Sequence, residues 1–423
     1  CYYCDKFFHK VKGITLGFNF AGYVPKFYTS RTYISSQFRS MKIKGLLVIL
    51  AVLQIFFTGE KSVLASGENF GLGPLEIRPQ YLVNQPFLAM YPENTLTLKD
   101  GESRLSFGME IANTFVNTQG PTGQITKTEV ARGLTLTDFL DKDGNTVKGF
   151  SLYLDAESKR QKIKYRYGLS DSLEFKLELP FVSFDGGTMD SSIESVHSML
   201  GISNFKKGGA YRALSERNQY DYYVVKDGQF IFASTEQINN VRGEPSMDLK
   251  WNLSAGSKVM PAASLKLSYK FANTDRGGEQ QLIRSGGVDW GHYFILSKGF
   301  DNWIVYFGEG KTRIGNNLGF ASTLIHRFMS MEYRFSEEDS FVFQTVSQSS
   351  IYPTTGANSR SKDQWGESQE QRNSNLSVPS SVSAFGYKFM SGSIFWETGF
   401  VQDYNNFGNE TDFVLFWEMG VHW

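Results

Sequence analysis

The chain has 423 residues, 43 of them basic and 43 acidic, and 15% are aromatic. The balance hides two unlike parts: residues 1–65 hold nine Lys/Arg and two Asp/Glu, so the remainder has 34 basic and 41 acidic groups, net −7. That excess leaves no basic stripe to neutralise phosphates and argues against a nucleic-acid partner, and with both cysteines at Cys1 and Cys4 no disulfide framework holds the rest.

Residues 1–40 read as an upstream extension outside the mature protein, because Met41 opens a well-formed leader. The Cys1-x-x-Cys4 spacing has no second pair to complete a metal or redox site. Residues 41–65, MKIKGLLVILAVLQIFFTGEKSVLA, carry two lysines, an apolar run from Leu46 to Phe57 broken only by Gln54, and small residues at the end. Such a run is too short for a spanning helix, which needs about 20 residues, and suits a secretory signal peptide. Segment 66–102 holds Pro74, Pro79, Pro86 and Pro92, so it is neither a continuous strand nor a helix. It is expected in the periplasm or tucked into a lumen as a plug, with Glu76 and Arg78 meeting the wall.

From residue 103 onward the pattern is period two, the signature of strands with one apolar and one polar face. In QKIKYRYGLSDSLEFKLELPF (161–181), Ile163, Tyr165 and Tyr167 oppose Lys162, Lys164 and Arg166; after the turn, Leu173, Phe175, Leu177, Leu179 and Phe181 oppose Glu174, Lys176 and Glu178. Twelve strands are expected near 103–117, 152–168, 173–184, 245–255, 262–272, 286–297, 302–312, 320–335, 340–350, 381–391, 393–403 and 411–423. Their connections alternate between long and short, the asymmetry of outer-membrane barrels. The expected fold is all-β: a transmembrane antiparallel β-barrel of about 12 strands, 103–423, with a short helix in a long extracellular loop. An open edge has no hydrogen-bond partner in lipid, so the last strand must pair with the first.

The helix lies at 190–201, with Ile193, Val196 and Leu200 on one apolar face, and is expected to fold into the barrel mouth as a lid. Segment 351–380 reads as a solvated loop. No catalytic constellation emerges: His197-Ser198 are merely adjacent, and His292, His326 and His422 are scattered over three strands. No metal-ligand spacing and no cofactor motif is present, and no enzymatic activity is expected.

The chain ends DFVLFWEMGVHW, with Phe413, Leu415, Trp417, Met419, Val421 and Trp423 at every second position. This is similar to the terminal strand that the barrel-assembly machinery recognises. Glu418 and His422 are expected to face the lumen, and Trp417 and Trp423 to join the aromatic belt at the membrane interface.

The stretches GPLEIRPQYLVNQPFLAMYPE (73–93), YGLSDSLEF and DSSIESVHSMLG (190–201) resemble an uncharacterised family, a domain of unknown function, of Gram-negative outer-membrane β-barrel proteins. GLSDSLEF and GEPSMDLKWNL (243–253) more loosely resemble fatty-acid and aromatic-compound transport barrels, which implies passage of small molecules. The inward charges Lys162, Lys164, Arg166, Glu174, Lys176, Glu178, Asp248, Lys250, Lys266 and Lys270 are the candidate lumen lining. Together these features lead us to expect a channel or transporter for passive passage of small solutes, narrowed by the long loop after the third strand. The alternative is a closed structural or surface-interaction barrel that displays its loops. Outer-membrane lipid and lipopolysaccharide are the other expected partners.

Overall fold

The computed structural model describes residues 71–117, 127–140, 144–199, 217–275, 277–353, 376–403 and 410–423. The expected extension and signal peptide lie outside these residues. So do most of segment 351–380, residues 66–70, and the side chains of Val196, His197 and Ser198 together with Leu200.

Period-two alternation becomes strands along most of the chain. In order they are β1 (Ser103–Asn117), β2 (Phe150–Ser170), β3 (Leu173–Asp185), β4 (Asp221–Lys226), β5 (Gln229–Ser234), β6 (Ile238–Arg242), β7 (Ser246–Ser254), β8 (Ala262–Lys270), β9 (Asp289–Phe300), β10 (Trp303–Arg313), β11 (Thr323–Arg334), β12 (Asp339–Gln348), β13 (Ser380–Ser391), β14 (Ile394–Asp403) and β15 (Phe413–His422). Two short helices, α1 (Lys127–Ala131) and α2 (Asp190–Met199), stand between them.

Twelve of these strands close an antiparallel ring: β1, β2, β3, then β7 through β15, with β15 pairing back onto β1. The seam runs from Arg104 opposite His422 to Asn113 opposite Phe413, and a main-chain bond from Ser103 N to Trp423 O finishes it at the rim. Every ring strand therefore has two partners and no edge is left bare. The three strands beyond the expected twelve fall inside the span 185–244, expected to be loop with one helix. β4 and β5 form a hairpin that pairs with the first residues of β2, Phe150 to Asp155, and β6 pairs with the upper end of β3. They extend one side of the wall beyond the ring. The hairpin turns at Asp227-Gly228, both with positive φ, which glycine adopts without strain and aspartate tolerates.

Short connections gather at one rim, which also carries Gly101, Ser103 and Trp423; the long ones gather at the other. The outward face is apolar, as Leu105, Phe107, Ile163, Phe294, Phe341 and Leu415 all show by their exposure. β15 shows the alternation cleanly: Leu415, Met419 and Val421 are exposed, whereas Val414, Phe416 and Glu418 are buried. Trp423 stands at the short-turn rim. Trp417 does not; it lies six residues up the strand, opposite Met109 and Thr398, roughly 20 Å away at the rise of a strand.

Candidate functional site: the filled lumen

Segment 71–98 fills the barrel. It contains no strand or α-helix, as its prolines dictate, and only one 3-10 turn, Leu82–Asn84. An ascending limb starts at the short-turn rim, where Glu332 of β11 accepts from the Leu72 and Gly73 amides at 2.7 and 3.0 Å. The 3-10 turn lies among the long loops. A descending limb then returns to the short-turn rim, where the Leu98 amide donates to Glu174 at 3.0 Å. From Gly73 to Glu93 every residue is buried except Glu76, which is slightly exposed. Of the two places expected for the N-terminal segment, periplasm or lumen, it takes the lumen; residues 200–216 of the loop expected to narrow the barrel lie outside the described residues.

Without a ladder, the main chain of this plug needs other hydrogen-bond partners. The wall's polar side chains provide them. Gln344 accepts from the Leu75 amide at 3.0 Å and donates back to its carbonyl at 3.1 Å, as a neighbouring strand would. Lys388 donates to the Pro74 carbonyl, Lys162 to Glu76, Lys270 to Pro86 and Lys266 to Tyr91, at 2.8–3.1 Å. Asp289 accepts from the Leu88 amide at 2.9 Å. Much of the inward charge is there because an irregular chain lies against it.

Side chains divide the lumen into two faces. Leu75, Ile77 and Met90 pack on an apolar wall with Tyr293, Ile304, Tyr306, Phe328 and Val342. Glu76, Tyr91 and Glu93 face the charged wall of β2, β3, β7 and β8. Lys164 Nζ lies 2.6 Å and Arg166 Nη2 2.5 Å from the Glu76 carboxylate. Lys176 and Lys266 meet Glu93 Oε1 at 2.6 and 2.8 Å, while Lys250 and Arg166 approach its Oε2 at 3.4 and 3.9 Å. The Tyr91 ring lies beneath Lys162, Lys164 and Lys176 and donates its hydroxyl to Glu178 at 3.0 Å.

All ten expected lining residues are buried and inward. Beyond the plug contacts, Lys162 pairs with Glu110 and Glu418 at 2.6 and 3.3 Å, and Lys164 also reaches Glu418 at 2.6 Å. Lys176 pairs with Asp248 at 2.5 Å, Lys250 with Glu174 at 3.5 Å, and Lys270 with Glu244 and Asp289. Gly108 makes the Lys162 path possible, since a Cβ there would lie 2.7 Å from its Cε. Of the two plug residues expected at the wall, Glu76 is there. Arg78 instead donates to the Asn84 carbonyl at 2.7 Å and ties the plug's own turn. Glu93 was missed, although it is the only other charged residue between 71 and 98. Among the described histidines, His326 is buried against the Thr312 hydroxyl at 3.0 Å.

At the long-loop end the contacts change character. Tyr81, Leu82, Val83 and Phe87 enter an apolar cluster with Phe150, Phe232, Phe320 and Tyr352. Phe320 lies 5.4–6.2 Å from four other rings, Phe87, Phe150, Phe232 and Tyr352. The Tyr81 and Tyr352 hydroxyls share a hydrogen bond of 2.6 Å. The helix α2 is fixed nearby through buried Asp190, which accepts from Asn113 and from the Asn218 amide.

Residues 147–423 match a family named Protein of unknown function (DUF3187). The chain belongs to this family. The match takes in YGLSDSLEF and DSSIESVHSMLG but begins after the plug and β1. No curated protein sequence matches the chain. Among solved structures, the COG4313 outer membrane channel from Pseudomonas putida F1 aligns at 9% identity and a TM-score of 0.44, over 79% of this chain and 100% of that one. The translocator domain of the autotransporter NalP from Neisseria meningitidis aligns at 7% identity and 0.34, over 77% and 89%. The Pseudomonas putida toluene transporter TodX aligns at 8% and 0.29, over 84% and 99%. Likeness at this level assigns no solute and no mechanism to the family member described here.

Proposed function

We propose that this protein is a channel of the Gram-negative outer membrane, for small solutes, held shut at rest by its own N-terminal segment. The carrying observation is the plug. A barrel that only had to be solid could fill itself with apolar side chains, yet this one is crossed by an irregular chain held through polar and ionic contacts. Ion pairs inside a protein contribute little net stability relative to apolar packing, because the cost of taking both charges out of water offsets their attraction. That is the composition of a removable closure.

Membrane placement is supported by the closed ring, the apolar outward face and the aromatic rim. Trp303, Trp396 and Trp423 are all exposed beside the short turns, with Tyr333 and Tyr387 packed against the first two. Lipopolysaccharide as a partner is supported by the outward cations Lys311 and Arg313 toward the long-loop rim. Phe413, Leu415, Trp417, Met419, Val421 and Trp423, on the strand that completes the ring, fit the proposed assembly signal. The helix α2 as a lid belongs to the same reading.

A designed disulfide tests it. Residues 5–423 contain no cysteine, and the hydroxyls of Thr95 on the plug and Ser297 on β9 touch. The double variant Thr95→Cys/Ser297→Cys pins the plug when oxidised. In planar bilayers the expected result is conductance steps in the wild type, silence in the oxidised variant and recovery on reduction. Silence of the wild type with impermeable liposomes refutes the channel and leaves the second reading, a closed barrel displaying its loops. That reading is favoured by one observation, burial of the plug along nearly its whole length.

A further inference from the structure

The geometry points to Glu93 as the resident occupant of a carboxylate-binding site in the barrel wall, a site that a small carboxylate solute takes over when the plug withdraws. The second half of that statement rests on the channel reading above; the first does not. Four neighbouring strands each aim one buried cation at this carboxylate: Arg166 from β2, Lys176 from β3, Lys250 from β7 and Lys266 from β8.

The strand register shows why an anion is required there. Arg166 stands directly opposite Lys176, and Lys250 directly opposite Lys266. Like charges in facing positions repel and destabilise a sheet. Wall carboxylates relieve this only in part. Around the two plug glutamates lie six wall cations, Lys162, Lys164, Arg166, Lys176, Lys250 and Lys266. The wall answers them with four carboxylates, Glu110, Glu174, Asp248 and Glu418. Glu76 and Glu93 supply the other two charges. Among these ten wall residues, withdrawing the plug leaves two cations in excess, and the Glu93 position is where four of the six converge. An incoming carboxylate restores the balance that the plug provided, so the solute and the closure compete for the same groups.

Chemical rescue tests the site. Purified Glu93→Ala protein is melted in sodium acetate, sodium formate and sodium chloride at equal ionic strength, followed by circular dichroism. The expected result is a Tm that climbs with acetate or formate but not with chloride, in the variant and not in the wild type, whose site is taken. Equal responses in all three salts, or in both proteins, overturn the site. If the alanine variant does not fold, Glu93→Ser repeats the melt with a smaller vacancy. Permeation is read separately on Glu93→Gln, which keeps the side-chain volume and discards the charge. Under a potassium chloride gradient in planar bilayers its reversal potential is expected to have the sign of an anion-selective pore. A cation-selective sign overturns the permeation half. Silence of both Glu93→Gln and the wild type refutes the channel reading alone, and the melt then decides the site.

Discussion

The two ends of the lumen hold the same plug by different physics. Near the short turns, Glu76 and Glu93 are gripped by lysines and arginines, and main-chain groups are gripped by Glu332, Gln344 and Lys388. Among the long loops, Tyr81, Val83 and Phe87 lie in a cluster of aromatic rings. Buried charge is intolerant of losing one partner, but a free carboxylate offers the same two oxygens as the glutamate it replaces. An apolar cluster does not respond to dissolved anions, because its stabilisation is area removed from water. The ionic end therefore confers exchangeability, and the aromatic end confers persistence.

The largest effect should come from breaking the ionic end. Glu76→Gln leaves Lys164 and Arg166 short of an anion, and removing one partner of a buried pair costs about 3–5 kcal/mol. Protease access to the plug, compared with the wild type, measures it; unchanged access would show that Glu76 does not hold the plug. Phe320→Ala removes the ring that touches four others, for a loss of about 3 kcal/mol. Its Tm deficit should be the same at low and high salt, whereas that of Glu76→Gln should shrink in carboxylate salts. Matching salt responses would erase the distinction between the two ends.

Tyr81→Phe takes away one hydroxyl and leaves that of Tyr352 buried without this partner, which costs about 1–2 kcal/mol. Its readout is faster hydrogen exchange at the 3-10 turn, with the ionic end unchanged.

The smallest effect is one of pH. Asp221, in the β4–β5 hairpin beyond the ring, is pushed up to about 7 by burial and by the facing Asp155 carboxylate. Between the usual aspartate value of about 4 and about 7, the folded hairpin binds a proton that the unfolded chain does not. Its stability is therefore fully present at the acidic end of that window and falls as pH rises through it. Asp221→Asn should flatten this dependence, measured as hairpin hydrogen exchange against pH; a slope equal to the wild type's would remove Asp221 as the cause.

The ring was legible in the sequence because alternation is a local property. β1 spans Ser103–Asn117, the expected range, and the hairpin of β2 and β3 turns where GLSDS predicted. β4 and β5 were not legible by that criterion. DYYVVK is buried on both faces, so it carries no alternation, and only Asp227-Gly228 marks the turn. The plug's location was half legible: four prolines forbid regular structure but say nothing of where the segment lies. Its partners are remote, with Glu76 bonded to Lys164 across 88 positions and Leu72 to Glu332 across 260. No local pattern encodes such pairs, and the same charges read equally well as an open, hydrated lining.

Gly71 and Leu98 meet the wall at the same rim, so the segment between them is a bight pushed in from one side, not a cord passed through a ring. Drawing it out unties nothing. No strand need leave its neighbour, and the seam of β1 and β15 stays sewn.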